Sequence, residues 1–408
     1  MGTITLEFPV ARDNQDELLR SLQWAAPEVA SLAFDPADGR VIHYGQAERT
    51  APDESGVRLK EAADRLARSF HLAPAKKAYV GGPPRVPGLR SPYEQLVRRG
   101  WVRPVAAGAH VYCGLMSELF FALDAEFRRQ ALLLDPAVEE QKFPTLVELQ
   151  TLRTAGYLAG FPHHVNFLSH LPEQKDAVER FQSRTAAAGA ASVALDGVGA
   201  CAAHAMCPTV CYQFFTANAG RVIAPESLLG ATALSSCFRF EGRHTTGLRR
   251  LREFTMREVM FLGPADAVQA RRARLMELMV RMLELCGLRS ELVTASDPFF
   301  IDVADKKRLF QMSFDLKYEA RAHVPDDDSW LAVGSVNDHQ EHFGRSFDIK
   351  LQDGEAARSC CLGFGLDRWC LAVFAQYGLE VEEWPAGLRE IVRKRRSDAG
   401  GTREEKRA

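Results

Sequence analysis

The sequence predicts an α+β protein: a small front unit of mixed strands and helices, then a larger unit built on an antiparallel sheet flanked by helices. Three observations carry this. Residues 1–82 read as strand, helix, strand, strand, helix, strand. Residues 237–263, CFRFEGRHTTGLRRLREFTMREVMFLG, read as a hairpin whose arms interleave apolar and β-branched residues with polar ones. Further strands at 311–318, 331–336 and from Cys361 are interspersed with helices at 115–134, 264–285 and 368–377.

Residues 3–9 form the first predicted strand. The helix 16–29 has Leu18, Leu19, Leu22 and Ala25 as its apolar positions. Strands 30–34 and 40–44 are joined by Asp35-Pro-Ala-Asp-Gly39, a turn by composition. A second helix covers 54–70 and a short strand 77–80. This βαββαβ order suits a ferredoxin-like domain over 1–82, a fold that names no function and is read here as a docking or packing unit. The stretch 83–94 reads as a linker, most of it belonging to the Gly- and Pro-rich run Gly81 to Pro92.

The larger unit spans 95–385. The 115–134 helix carries a broad stripe of Leu119, Phe120, Ala122, Leu123 and Phe127, and the strand after it contains Pro144. Residues 186–203 are rich in alanine and glycine, and both a loop and a weak helix fit them. Gly263-Pro264 starts the next helix and Gly287 stops it, with Leu275, Leu278, Met279, Met282 and Leu283 as its buried face. Gly378 closes the 368–377 helix. The tail, 386–408, is expected to fray and stay solvated, since Arg393-Lys-Arg-Arg396 and the residues after it are strongly charged.

The chain has 408 residues, 46% hydrophobic and 25% charged, an ordinary globular composition. A net charge of −2 gives no global field that calls for nucleic acid. No uninterrupted apolar run is long enough to span a bilayer, so no membrane role is expected. The N-terminus lacks the basic start and apolar core of a signal peptide. The nine cysteines therefore read as reduced thiols in the cytoplasm.

Phe238-Arg-Phe-Glu241, a basic loop, and Arg250-Leu-Arg-Glu-Phe254 resemble motif 2 of class II aminoacyl-tRNA synthetases. Cys361-Leu-Gly-Phe-Gly-Leu-Asp-Arg368 resembles motif 3, with Asp367 where Glu is usual. Phe-Pro-Thr-Leu at 143–146, Gly156–Pro162, Pro208–Tyr212, Met256–Val259, Asp297–Phe300 and Asn337–Gly344 narrow the resemblance. Together they resemble the amino acid:carrier protein ligases, shortened relatives of the zinc-dependent seryl-tRNA synthetases that lack the tRNA-binding arm. The resemblance covers roughly residues 95–380.

That resemblance implies ATP-dependent activation of a small amino acid, glycine or alanine, followed by transfer to the phosphopantetheine thiol of a carrier protein. It assigns Arg239 to the α-phosphate and the substrate carboxylate, Glu241 to the adenine amino group and Phe254 to stacking on the ring. Arg250 and Arg368 fall to the terminal phosphates. A planar guanidinium suits phosphate because it binds it bidentately and stays charged. Magnesium is expected with ATP, without assigned protein ligands. Cys211, Glu258 and Cys361 fall where the zinc relatives carry their ligands, which leaves a fourth position open. Cys360 leaves that register open by one, and alternation along a strand allows only one of the two thiols on the site face. Motif alignment selects Cys361. Cys207 is the rival of Cys211. Asn337, His339 and His342 fall in a segment that lines the family's amino-acid pocket, and a structural role fits either histidine equally. The resemblance also implies a homodimer, through a helix and a proline-containing strand. Two further readings stand beside the ligase: a tRNA-aminoacylating enzyme, disfavoured because no long helical arm is present, and a non-catalytic amino-acid-binding paralogue.

Overall fold

The computed structural model describes residues 2–10, 15, 18–19, 22, 29–46, 54–72, 75–187, 200–242, 245–295 and 315–404. Most of the expected 16–29 helix, Asp297–Phe300, His244 and the alanine-rich stretch from 188 to 199 lie outside them.

The α+β expectation holds. An eight-stranded sheet runs in the order Lys77–Gly81, Ser290–Thr294, Lys317–Val324, Ser329–Gln340, Arg358–Gly365, Glu253–Gly263, Leu229–Phe238, Val138–Glu140. Neighbours are antiparallel except the short edge strand Val138–Glu140, which pairs parallel to Leu229–Phe238. Side chains alternate across the central strands and split the interior into two layers. Val259, Phe261, Cys360, Leu362 and Phe364 join the core under helices Gly114–Leu134, Ala265–Leu285, Leu366–Tyr377 and Ala386–Glu404. Met260, Leu262 and Cys361 face a second core formed with Tyr157, Tyr212, Phe215 and Phe343. In the first layer Phe127 stacks on Phe364 with centroids 4.1 Å apart. The Ala265–Leu285 helix buries Leu275, Leu278, Met279, Met282 and Leu283 as its spacing predicts.

The front unit departs from the expected order. Gly2–Thr5 and Val29–Phe34 both pair with Val41–Gln46 in a three-stranded sheet that packs on Glu54–Leu72. The last strand of the six-element pattern, Lys77–Gly81, leaves that sheet and pairs with Ser290–Thr294. Ser290–Thr294 is buried throughout, so its outer edge needs a hydrogen-bonding partner, and Lys77–Gly81 supplies it. The Gly/Pro-rich run that follows is also anchored: Gly88 and Leu89 donate to the carbonyls of Gln376 and Ala375 at 3.0 and 2.8 Å.

Two local expectations are corrected and a third is met in part. Pro144 lies between strands Val138–Glu140 and Leu146–Glu148 rather than in one. Of the strand expected at 311–318, residues 311–314 lie outside the described residues, and its last two residues open Lys317–Val324. The tail does not fray from its start: Ala386–Glu404 is a helix, with Leu388, Ile391 and Val392 in the core and Arg396 bonded to Glu118. The apolar spacing i, i+3, i+4 in Leu388, Ile391 and Val392 outweighs the charge run beyond them. No described helix is long and apolar enough to cross a membrane.

Candidate active site

A cavity of about 1160 Å³ lies on the face of the sheet away from the helices. Strand alternation decides what reaches it. From Glu253–Gly263 it takes Phe254, Met256 and Glu258. Arg257 turns to the other face and pairs with Asp124 at 2.6 Å. From Arg358–Gly365 it takes the alternate residues Cys361, Gly363 and Gly365, with Arg358 at the strand's start, whereas Cys360 faces the helix layer, its thiol donating to the Val268 carbonyl at 3.6 Å. The register sets Glu258 opposite Gly363, and Cys361 between Met260 and Asn337. A Cβ on Gly363 would lie 2.6 Å from the Met256 methyl, so a glycine here lets the neighbouring side chains cross the strand.

One end of the cavity is cationic and aromatic. Arg239, Glu241, Phe254 and Arg368 all line it. The Arg239 guanidinium lies 5.1 Å from the Phe254 ring centroid, and its Nε donates to the Pro208 carbonyl at 3.1 Å. Arg368 donates to the carbonyls of Arg249 and Ala332 at 2.9 and 3.1 Å, tying the basic loop to the strand Ser329–Gln340. Arg250 is not among the lining residues; it donates to Glu241 Oε2 at 3.0 Å. Asp367, almost fully buried, takes two donors: the Tyr112 hydroxyl on Oδ1 and the Thr255 amide on Oδ2 at 2.7 Å. Burial pushes its carboxyl above the ordinary range, against the pull of these bonds.

The other end carries sulfur and carboxylate. Cys211 opens the short helix Cys211–Ala217, Glu258 stands mid-strand and Cys361 lies on the adjacent strand. The two thiols hydrogen-bond to each other; this first, and then burial and the charge of Glu258, push Cys211 up. The same bond, with those from His339 and Asn337, holds Cys361 down despite burial. Asn337 Nδ2 lies 3.4 Å and His339 Nε2 3.5 Å from the Cys361 sulfur, and His339 Nδ1 lies 3.0 Å from the Ser359 hydroxyl. Thr209 donates to Glu258 Oε1 at 3.1 Å and sits 3.6 Å from the Cys211 sulfur. Glu258 Oε2 is buried without a partner, and burial pushes the carboxyl up to about 8. Among the described residues no three His, Cys, Asp or Glu side chains converge as a ready-made metal-binding group. The expected trio lines one cavity, and two of its members, Cys211 and Cys361, bond to each other, but the three do not converge as such a group. The donor set, two sulfurs and an unsatisfied carboxylate oxygen, nevertheless fits zinc chemistry.

The structure thus brings Arg239, Glu241, Phe254, Arg368, Cys211, Glu258, Cys361, Asn337 and His339 to one cavity and leaves Arg250 behind Glu241. His342 also lines it, 3.1 Å from the Ala155 carbonyl. Cys207 does not line it; its thiol donates to Thr209 O at 3.0 Å. Sequence reasoning missed Thr209 and Tyr157, although each lies inside a short motif it had singled out.

Residues 203–377 match the tRNA synthetase class II core domain (G, H, P, S and T). An amino acid--[acyl-carrier-protein] ligase 2 of Bradyrhizobium diazoefficiens is 30% identical over 65% of this chain and 78% of its own length. The type-2 serine--tRNA ligase of Methanopyrus kandleri is 27% identical over 82% of this chain, which spans 66% of that enzyme. Among solved structures, the complex of A. aeolicus tRNASec with M. kandleri SerRS matches with a TM-score of 0.71 at 23% identity, over 96% of this chain and 77% of that one, a likeness of fold.

Proposed function

The chain belongs to the class II synthetase-like family that includes the amino acid–[acyl-carrier-protein] ligases, and we propose that it activates a small amino acid with ATP and passes the aminoacyl group to the phosphopantetheine thiol of a carrier protein. One observation carries this reading: a single cavity holds both the arginine–aromatic end that suits a nucleotide and the sulfur–carboxylate end that suits an amine-selecting metal.

In the first step the substrate carboxylate attacks the α-phosphorus of magnesium-bound ATP and pyrophosphate leaves. Arg239 neutralises charge on the α-phosphate and orients the carboxylate. The purine takes Phe254, and Glu241 accepts from its amino group, held by Arg250. Arg250 reaches a terminal phosphate only by releasing Glu241; Arg368 serves that end directly. Cys211, Glu258 and Cys361 would hold a zinc ion, which when bound supplies an open Lewis-acid position for the amino group of glycine or alanine. The partnerless Glu258 Oε2 supports this assignment. Asn337 and His339 orient the Cys361 thiolate from behind rather than touching the amino acid alone.

Transfer to the carrier thiol needs no further nucleophile, since the adenylate is already activated. Aminoacylation of tRNA is the second reading, supported by the longer stretch of this chain that the Methanopyrus enzyme matches. We also propose a cytoplasmic homodimer. Free thiols at the eight cysteines whose side chains are described suit a reducing compartment, and helix Gly114–Leu134 leaves the apolar side chains Phe121 and Leu133 exposed near the edge strand.

The test is ATP–pyrophosphate exchange across the twenty amino acids, with metal analysis of the same sample. Exchange with one or two small amino acids and about one zinc per chain is expected. No exchange in a folded, zinc-containing protein would favour a binding paralogue instead.

A further inference from the structure

Of the buried side-chain polar atoms without a partner among the described residues, two belong to residues lining the cavity: Glu258 Oε2 and the Tyr157 hydroxyl. The first is accounted for by the metal proposed above. The second has no role in the chemistry so far. Tyr157 is only 6% exposed, and its ring is held by Tyr212 at 5.9 Å and Phe161 at 5.3 Å. Gly156, at φ 75°, turns the backbone into the short helix that presents it. A buried hydroxyl that bonds to nothing is disfavoured unless a ligand completes it.

Its position says which ligand. Tyr212, on one side, follows Cys211 in the sulfur–carboxylate end. Arg239 and Glu241, at the arginine–aromatic end, line the same cavity as Tyr157; the Arg239 charge draws the phenol down, while those of Glu241, Cys237 and Cys207 push it up. Burial is the larger influence and pushes the phenol up to about 12, so it keeps its proton at neutral pH. A substrate whose amine sits at the sulfur end and whose carboxylate meets Arg239 passes this hydroxyl between them.

We propose that Tyr157 is a further catalytic residue: its hydroxyl donates a hydrogen bond to the carboxyl oxygen of the amino acid that does not bond to phosphorus. This rests on the function proposed above. During activation the other carboxyl oxygen bonds to the α-phosphorus, and pyrophosphate leaves with the electron pair. When the carrier thiol adds, the C–S bond forms and the carbonyl pair moves onto the oxygen that Tyr157 contacts. The pair on that oxygen then re-forms the C=O bond as the C–O bond to AMP breaks; AMP leaves with the C–O bonding pair, and the thiol proton passes to its phosphate. Negative charge on the contacted oxygen peaks as the thiol adds, so the hydrogen bond strengthens most there.

Tyr157→Phe keeps both ring contacts and removes only the hydroxyl. Glycyl- and alanyl-sulfamoyl adenosine, which mimic the adenylate without reacting, serve as probes. The variant should bind the preferred probe about tenfold more weakly and transfer to the carrier on the order of 10²-fold more slowly. Without ligand it should melt at or above the wild-type temperature, because no described residue bonds to the hydroxyl. Equal probe affinity and transfer rate in a competent wild type would overturn the proposal alone, as would a variant that fails to fold. A wild type that neither binds the probes nor exchanges pyrophosphate would overturn the functional reading and this proposal with it.

Discussion

The Asp367 carboxylate accepts the backbone N–H of Thr255 at 2.7 Å, joining the start of the Leu366–Tyr377 helix to the strand that carries Phe254. Tyr112, from the hairpin Val102–Tyr112, donates to the other oxygen. The acid beside Arg368 therefore fixes the aromatic and the arginine at one end of the cavity relative to each other. Two donors converge on it, and an amide can satisfy only one. Asp367→Asn should lose about 1–3 kcal/mol in denaturant unfolding and raise the KM for ATP. Unaltered stability with unaltered KM would show that the link is dispensable.

Arg239→Ala removes the cation proposed to face the α-phosphate. Exchange should fall by a factor on the order of 10²–10³. Arg239→Lys should not restore it, because a point charge cannot bridge carboxylate and phosphate as a fork does. Full exchange in the alanine variant would remove Arg239 from the mechanism.

Cys361→Ser should leave the purified protein without zinc, whereas Cys360→Ser, altered in the helix layer, should retain it. His339→Ala should keep the metal but hold it more loosely, by about 10–100-fold in chelator competition, because Cys361 loses one of its orienting donors. Zinc retained in Cys361→Ser and lost in Cys360→Ser would reverse the strand register.

Glu258 gives a pH signature to the metal-free protein. Its carboxyl is raised to about 8 from an ordinary value of 4.5, so the folded state holds a proton that the unfolded state releases. Its stabilisation is complete below about pH 4.5 and is lost as pH rises through 8. The chelated wild type should therefore lose stability from pH 5 to 8 relative to chelated Glu258→Gln. Added zinc should remove the difference by displacing the proton. Parallel pH profiles for the two chelated proteins would contradict this placement of Glu258.

The arginine–aromatic end of the cavity was legible in the sequence because Arg239, Glu241, Phe254 and Arg368 sit in two compact motifs, and the fold brings all four to one cavity. The sulfur–carboxylate end was not legible from spacing: Cys211, Glu258 and Cys361 belong to a helix and two strands that only the sheet register brings together, and resemblance alone pointed to them. The front unit misled where local pattern and long-range pairing compete. Lys77–Gly81 has strand composition in either sheet, and the unpaired edge of Ser290–Thr294 decides the outcome. In the tail, four consecutive basic residues masked the apolar triplet Leu388, Ile391 and Val392 just before them. Tyr157 and Thr209 could have been found as polar residues within otherwise apolar motifs.

The most direct test of the central claim is a loading assay with a labelled small amino acid, ATP, and either a phosphopantetheinylated carrier protein, the same carrier without its arm, or tRNA. The account predicts label on the armed carrier alone, released by neutral hydroxylamine as a thioester should be. Label on tRNA and none on the armed carrier would contradict it.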